Sequence, residues 1–178
     1  MSETFSANGS VGRAYLAAAR RKLSYCHERL IHCLNQLNDQ QIWWRPREDM
    51  NSIANIILHL CGNMRQWIVA AVPGTPGARD RPGEFADRSS TPRDELLRRL
   101  RAVLAEADAV LAGAGEVVLL EPRTVQGSAE TVLSAVFDSV AHLNGHTQEV
   151  VYITRMQLGD AYKFAWVPTP EQGGSSRA

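Results

Sequence analysis

Four leucines spaced seven residues apart, Leu16, Leu23, Leu30 and Leu37, constrain this chain more than any other feature. Ala19, Cys26 and Cys33 fall between them at helical intervals. The period puts all seven side chains on one stripe, so it predicts a long amphipathic helix over about residues 10–37. A helix with one apolar stripe needs other elements to cover it. Three later segments have the same character. Asn51 and Ser52 are good N-caps for a helix whose apolar face is Ile53, Ile56, Ile57, Leu60, Met64, Trp67 and Ile68, ending before Pro73. Thr91 can cap a third, with Pro92 at its first position and Asp94 and Glu95 in its first turn. Leu96, Leu97, Leu100, Val103, Leu104, Ala107, Val110 and Leu111 carry that helix to the stop at Gly113-Ala114-Gly115. The fourth runs from about Ser128 to Leu158, burying Val132, Ala135, Val136, Ser139, Leu143, Val150 and Ile153.

The connections are equally readable. NDQQIWWRPREDM breaks the first helix, because Pro46 cannot continue it and pushes Arg45 out of the helical region. PGTPGARDRPGEF reads as a long surface loop. The apolar run in GEVVLLEPRTVQG would suit a strand, but a lone strand has no partner, so an extended connection is expected. Four long amphipathic helices joined by loops predict an all-α four-helix bundle. Residues 1–162 are expected to form one domain and residues 163–178, ending PTPEQGGSSRA, a flexible C-terminal tail. At 178 residues the chain is large enough to bury roughly 70% of its unfolded surface without staples.

Charge excludes some functions. Lysine plus arginine equals aspartate plus glutamate at 19 each, so no basic excess argues for nucleic acid. Arg93, Arg98, Arg99 and Arg101 are offset by Glu95, Glu106 and Asp108, which makes that helix a solvated face. No apolar stretch reaches the roughly 18 residues of a membrane span. Cys26, Cys33 and Cys61 form no CxxC pair and are odd in number. With the polar start MSETFSANGS, they suggest a chain of the reducing cytoplasm.

The histidines point to chemistry. His142 and His146 are four apart, so their Cβ atoms lie about 5–6 Å apart on one helix face. Two imidazoles at that spacing can reach one metal, and Asp138 and Glu149 extend the same polar stripe. Alone the pair is a weak signal. His59 sits inside the apolar stretch IANIILHLCGNM, where a histidine is ordinarily hydrogen-bonded core, and Asn55 and Asn63 could satisfy it. A bundle joining the second and fourth helices would instead gather three neutral imidazoles with one coordination position open. His27, beside Glu28, is a candidate supporting group, and His32 lies off the leucine stripe.

Two segments resemble a known family. WWRPREDMNSIANIILHLCGNMRQW resembles the second-helix region of the DinB/YfiT-like superfamily, where a Trp-Arg-Pro element precedes a capped helix carrying a His-Leu pair. HLNGHTQEVVYITR resembles its other signature, two histidines four apart followed by an apolar run and an arginine. The 83 residues from His59 to His142 fit its usual spacing, and the likeness covers roughly residues 11–160. HLCGNMRQW followed by GARDRPGEF is similar to a bacterial branch of that superfamily known only as a domain of unknown function. The resemblance implies a four-helix bundle of DinB/YfiT-like topology, a metal held by His59, His142 and His146, and a homodimer. It also implies chemistry on low-molecular-weight thiols. In one respect the chain departs from that branch: Glu149 stands where a glutamine is usual. A carboxylate there can coordinate, act as a base, or bond an arginine.

Two functions are therefore expected to compete. One is a divalent-metal-dependent enzyme using Zn, Ni, Mn or Fe, a thiol-dependent S-transferase or a small-molecule hydrolase, with Glu149 or Asp138 as base or orienting group. The other is a non-catalytic dimeric bundle that binds a metal or an apolar ligand, with Trp43, Trp44 and Trp67 as pocket walls.

Overall fold

The leucine stripe does form one long helix, and each end of it has a local cause. The structure, a computed structural model, describes residues 9–165. Helix α1 spans Val11–Leu34, capped by Ser10, whose Oγ accepts from the Arg13 amide. Leu16, Ala19, Leu23, Cys26, Leu30 and Cys33 are all buried. Leu37 is buried too, although it lies past the end of the helix. The expected break then holds one helical turn, α2 (Asp39–Trp43). Asn38 and Gln41 start it by exchanging side-chain-to-backbone hydrogen bonds.

Helix α3 (Ile53–Met64) starts at Ser52 as expected, with Asn55 completing the reciprocal cap. It runs on as a π-helical stretch, Arg65–Ala70. The proline-rich segment differs from the expected loop. Asp80 accepts from the Gly83 amide and opens a short helix, α4 (Arg81–Ala86). Helix α5 (Arg93–Gly113) begins one residue later than the Thr91 cap would place it. Pro92 cannot cap with its side chain, and the Arg93 amide instead donates to Asp39 Oδ1 of α2 at 2.8 Å. The cap thus comes from another element.

The connection to the last helix also differs from expectation. Residues Glu116–Leu120 form a 3-10 turn, not an extended run. Strands β1 (Pro122–Val125) and β2 (Ser128–Thr131) then pair antiparallel. Gln126 and Gly127 both have positive φ, 52° and 83°, the turn geometry whose twist matches a two-residue hairpin. The hairpin takes the residues expected to open the fourth helix, so α6 spans Val132–Leu158, capped by Thr131 and Ser134. Lys163 is tied back to α1: its amide donates to Gln36 Oε1, and its carbonyl lies 2.5 Å from His32 Nε2. The rest of the expected tail, from residue 166, lies outside the described residues.

Among the described residues the chain is all-α in character, with this one hairpin as its sheet. Helix α1 packs on α5 and α6, and α3 packs on the same two. The four long helices therefore close a ring around one core of Leu30, Leu34, Ile56, Ile57, Leu60, Leu100, Val136 and Val150, among others. Helix α4 packs on α3 from outside that ring. Among the described residues no helix is long and apolar enough to cross a membrane.

Leu30 has no exposed surface. Leu30→Ala is expected to cost about 2–5 kcal/mol in denaturant unfolding. Val117→Ala, at a side chain 82% exposed, should stay within about 0.5 kcal/mol. Equal midpoints for the two variants would contradict this core assignment.

Candidate metal centre

The register between α3 and α6 decides which histidines meet. Ser139 Oγ donates to Asn63 Oδ1 at 2.8 Å in the buried seam between the two helices. That tie sits one turn from His59 on α3 and one turn from His142 on α6. The three expected ligands come together as a result. His59 Nε2 is 2.8 Å from His142 Nε2. The ring centroids lie 4.5 Å apart for His142 and His146, 5.0 Å for His59 and His142, and 5.3 Å for His59 and His146. One ligand nitrogen from each lies within 4.8 Å of the other two. Metal–nitrogen distances near 2.0–2.1 Å fit inside that span, so the donor set suits one divalent ion. His59 is buried at 3% exposure, while His142 and His146 are half-buried, so the cluster opens on the α6 side.

Behind His59 stands a pair of residues that the sequence pattern hid. Glu84 Oε2 lies 2.9 Å from His59 Nδ1. Arg79 grips the same carboxylate with Nε at 2.7 Å and Nη2 at 2.8 Å. Both side chains are nearly buried, at 4% exposure for Arg79 and 11% for Glu84. Arg79 Nη2 is also 2.9 Å from His59 Nδ1, so the tautomer matters. Arg79 Nη2 already donates to Glu84 and to the His59 carbonyl. The consistent assignment has Nδ1–H donating to Glu84, which leaves the Nε2 lone pair facing the cluster.

Helix α4 is held to α3 by buried amides. Asn55 Nδ2 donates to the carbonyls of Glu84, Phe85 and Asp87, so Asn55 anchors the segment and does not serve His59 itself. Asn63 is likewise occupied by Ser139. Glycine at position 62 makes room for the approach, since a Cβ there would lie 1.9 Å from Glu84 Oε1. In the π-helical stretch, Gln66 Oε1 accepts from Arg79 Nη1 at 3.4 Å and from Gln126 of the hairpin turn at 2.6 Å. Each end of the Arg79 guanidinium is therefore fixed.

On α6, Glu149 Oε2 lies 2.7 Å from His146 Nδ1, so it orients His146 as Glu84 orients His59. Asp138 is exposed and shares no hydrogen bond with the cluster among the described residues; its charge is felt by Tyr15 instead. His27 stands elsewhere, in a groove between α1 and α5, and His32 bonds Gln36 and Lys163. Trp43 donates to the Thr91 carbonyl, Trp67 packs on Ala71, Val125 and Ala135, and Trp44 is exposed.

Burial keeps His59 and His142 neutral. Desolvation lowers the His59 pKa; the Glu84 hydrogen bond opposes this, and the Arg79 charge adds to it. Desolvation also pushes His142 down to about 4, assisted by the charges of His146, His59, Arg79 and Arg81. Neutral imidazole is the form that binds metal.

Glu84 and Arg79 were absent from the sequence expectations because they sit in what reads as a proline- and glycine-rich loop. The available signal was Asp80-Arg81-Pro82, a cap followed by proline in a first turn. Residues 10–171 match a family described as "Protein of unknown function (DUF1572)". No curated protein matches the chain. A solved structure titled "Crystal structure of the conserved protein of locus from Enterococcus faecalis" resembles it with a TM-score of 0.69 at 16% identity, over 80% of this chain and 96% of that one. The likeness is one of fold.

Alanine in place of a helical glycine ordinarily stabilises by about 0.5–1 kcal/mol. Gly62→Ala is instead expected to displace Glu84 and weaken metal binding about 10–100-fold, as read by competition with a chelating dye. In a Glu84→Ala background the same change should leave affinity unaltered, because the two substitutions act on one contact. Parent affinity in Gly62→Ala alone would show that Glu84 does not support the site.

Proposed function

The chain belongs to the DUF1572 family of proteins of unknown function, and we propose from its own side chains that it is a divalent-metal-dependent enzyme acting on a small molecule. The observation that carries this reading is the trio of imidazoles with carboxylates behind two of them. The cluster offers three protein ligands among the described residues, the count of a site that keeps one position for water or substrate. A metal bound there would act as a Lewis acid and lower the pKa of a coordinated water or thiol. His59, His142 and His146 would hold it, and imidazole donors leave Zn, Ni, Mn and Fe all eligible.

The protein's own groups would then divide the remaining work. Glu84, neutralised by Arg79, fixes the His59 ring. Glu149 fixes His146 through one oxygen and, being exposed, has the other available to accept a proton from an incoming nucleophile. Asp138 is less suited to that role, because it is exposed and unconnected to the cluster. Thiol transfer and hydrolysis of a small electrophile both follow from such a site.

The four-helix ring with its ligands on α3 and α6 supports the DinB/YfiT-like topology as the wider kinship. The exposed Phe137, Tyr152 and Met156 of α6 support a homodimer that covers them. Unpaired Cys26, Cys33 and Cys61 suit a reducing cytoplasm. The same apolar surface is what a non-catalytic dimeric ligand-binding bundle would use, and it is the observation that favours that second reading.

Protein purified without a histidine tag should carry near-stoichiometric metal by inductively coupled plasma mass spectrometry. The His59/His142/His146 triple-alanine variant should carry none while keeping its helicity. Absence of metal in the parent, even after loading with zinc, nickel and manganese, would move the assignment to the non-catalytic bundle.

A further inference from the structure

We propose that Arg81 is the substrate-anchoring residue of this site and that the molecule it takes is a small organic anion, bearing a carboxylate or phosphate beside its metal-binding atom. The inference rests on the metal-enzyme reading above and specifies its substrate class.

The argument begins with stacking. Phe85 packs on His59 with ring centroids 4.5 Å apart and planes tilted by 35°. The Arg81 guanidinium lies over the same phenyl ring, 5.1 Å from its centroid. Both residues belong to α4, whose position on α3 is fixed by the Asn55 amide. Arg81 is therefore exposed, yet held in orientation by an aromatic face that itself touches a ligand ring. A guanidinium placed over a ring in this way uses the ring face and not its N–H groups, which stay available to the two oxygens of an anion.

Charge around the cluster points the same way. The neighbouring arginine, Arg79, is consumed by Glu84 and buried. Glu84 is consumed in turn by Arg79 and His59, so it does not compete for Arg81. Among the described residues Arg81 has no carboxylate partner, whereas Arg20, Arg98, Arg99 and Arg123 are each ion-paired. Glu149 is the exposed carboxylate at the cluster, and it is held against His146 on α6. Three imidazole ligands bring no charge of their own, so they would leave the charge of a divalent ion uncompensated. An anion that ligates the ion and reaches Arg81 would balance both charges at once.

The test uses cobalt-loaded protein and two probes of similar size, 3-mercaptopropionate and 2-mercaptoethanol, followed by the thiolate-to-cobalt charge-transfer band. The parent should prefer the anionic thiol, and Arg81→Met should reduce that preference by about tenfold, as expected for one charge-assisted contact. Binding of 2-mercaptoethanol and the cobalt content should be unchanged. Arg81→Lys should keep part of the preference, since charge survives but the planar fork does not. Arg88→Met, at an exposed arginine bonded to the carbonyls of Phe85 and Asp87, should keep all of it. An equal preference in parent and Arg81→Met would overturn the proposal, because chelation alone would then explain it. An equal loss in Arg88→Met would also overturn it, by showing only bulk charge, as would loss of cobalt in Arg81→Met. Failure of the parent to take up cobalt would remove the metal reading itself, and this inference with it.

Discussion

A histidine buried in an apolar helix has to find a hydrogen-bond partner, and much of this structure is arranged around how His59 finds one. Unpaired, a buried polar group costs on the order of 1–3 kcal/mol. Helix α3 cannot supply the partner, since Asn55 and Asn63, one turn away on either side, are committed elsewhere. It comes from α4, outside the ring of four helices, as the Glu84 carboxylate. A buried carboxylate then needs its own compensation, which Arg79 provides with two nitrogens. Gly62 leaves the space, and Gln66 braces the far side of the guanidinium. Each step follows from the one before, and each concerns satisfying a buried polar atom.

The consequence for chemistry is that one histidine of the cluster is rigid and two are accessible. His59 is locked from behind, while His142 and His146 share an α6 face that opens outward. Burial holds His59 and His142 in their neutral form, and the nearby positive charges reinforce that. Arg79 is spent on Glu84, so the proposed anion would meet Arg81 at the mouth of the cluster. The scaffold's contribution is thus a cluster of three imidazoles with asymmetric support.

The frame beneath the site is ordinary hydrophobic packing, made specific by a few polar ties. Leucine and isoleucine stripes from four helices fill the core, but apolar contacts alone tolerate sliding. The buried Ser139–Asn63 bond sets how α6 lies along α3, and with it which histidines meet. Asp39 does similar work for α5, since its carboxylate accepts the first helical amide where the sequence offers proline.

Local sequence determined the helices, because their signals are local: the seven-residue stripe of α1, the Ser52–Asn55 cap of α3 and the apolar face of α6 each act within one element. It picked out the three histidines that meet as well, since a spacing of four on one helix and a histidine amid isoleucines are visible without coordinates. Tertiary structure decided what supports them. Glu84 and Arg79 lie 25 and 20 residues from His59, in a segment whose prolines and glycines read as a loop. Their roles exist only once α4 docks on α3. The hairpin was hidden for a related reason, because strand pairing between Pro122–Val125 and Ser128–Thr131 has no periodic stripe to announce it. Glu149 and Asp138 looked equivalent in sequence; the rotation and packing of α6 put the first against His146 and left the second in solvent. Periodicity reports which face of an element is buried, whereas hydrogen-bond partners across elements depend on register and approach, which no single element encodes.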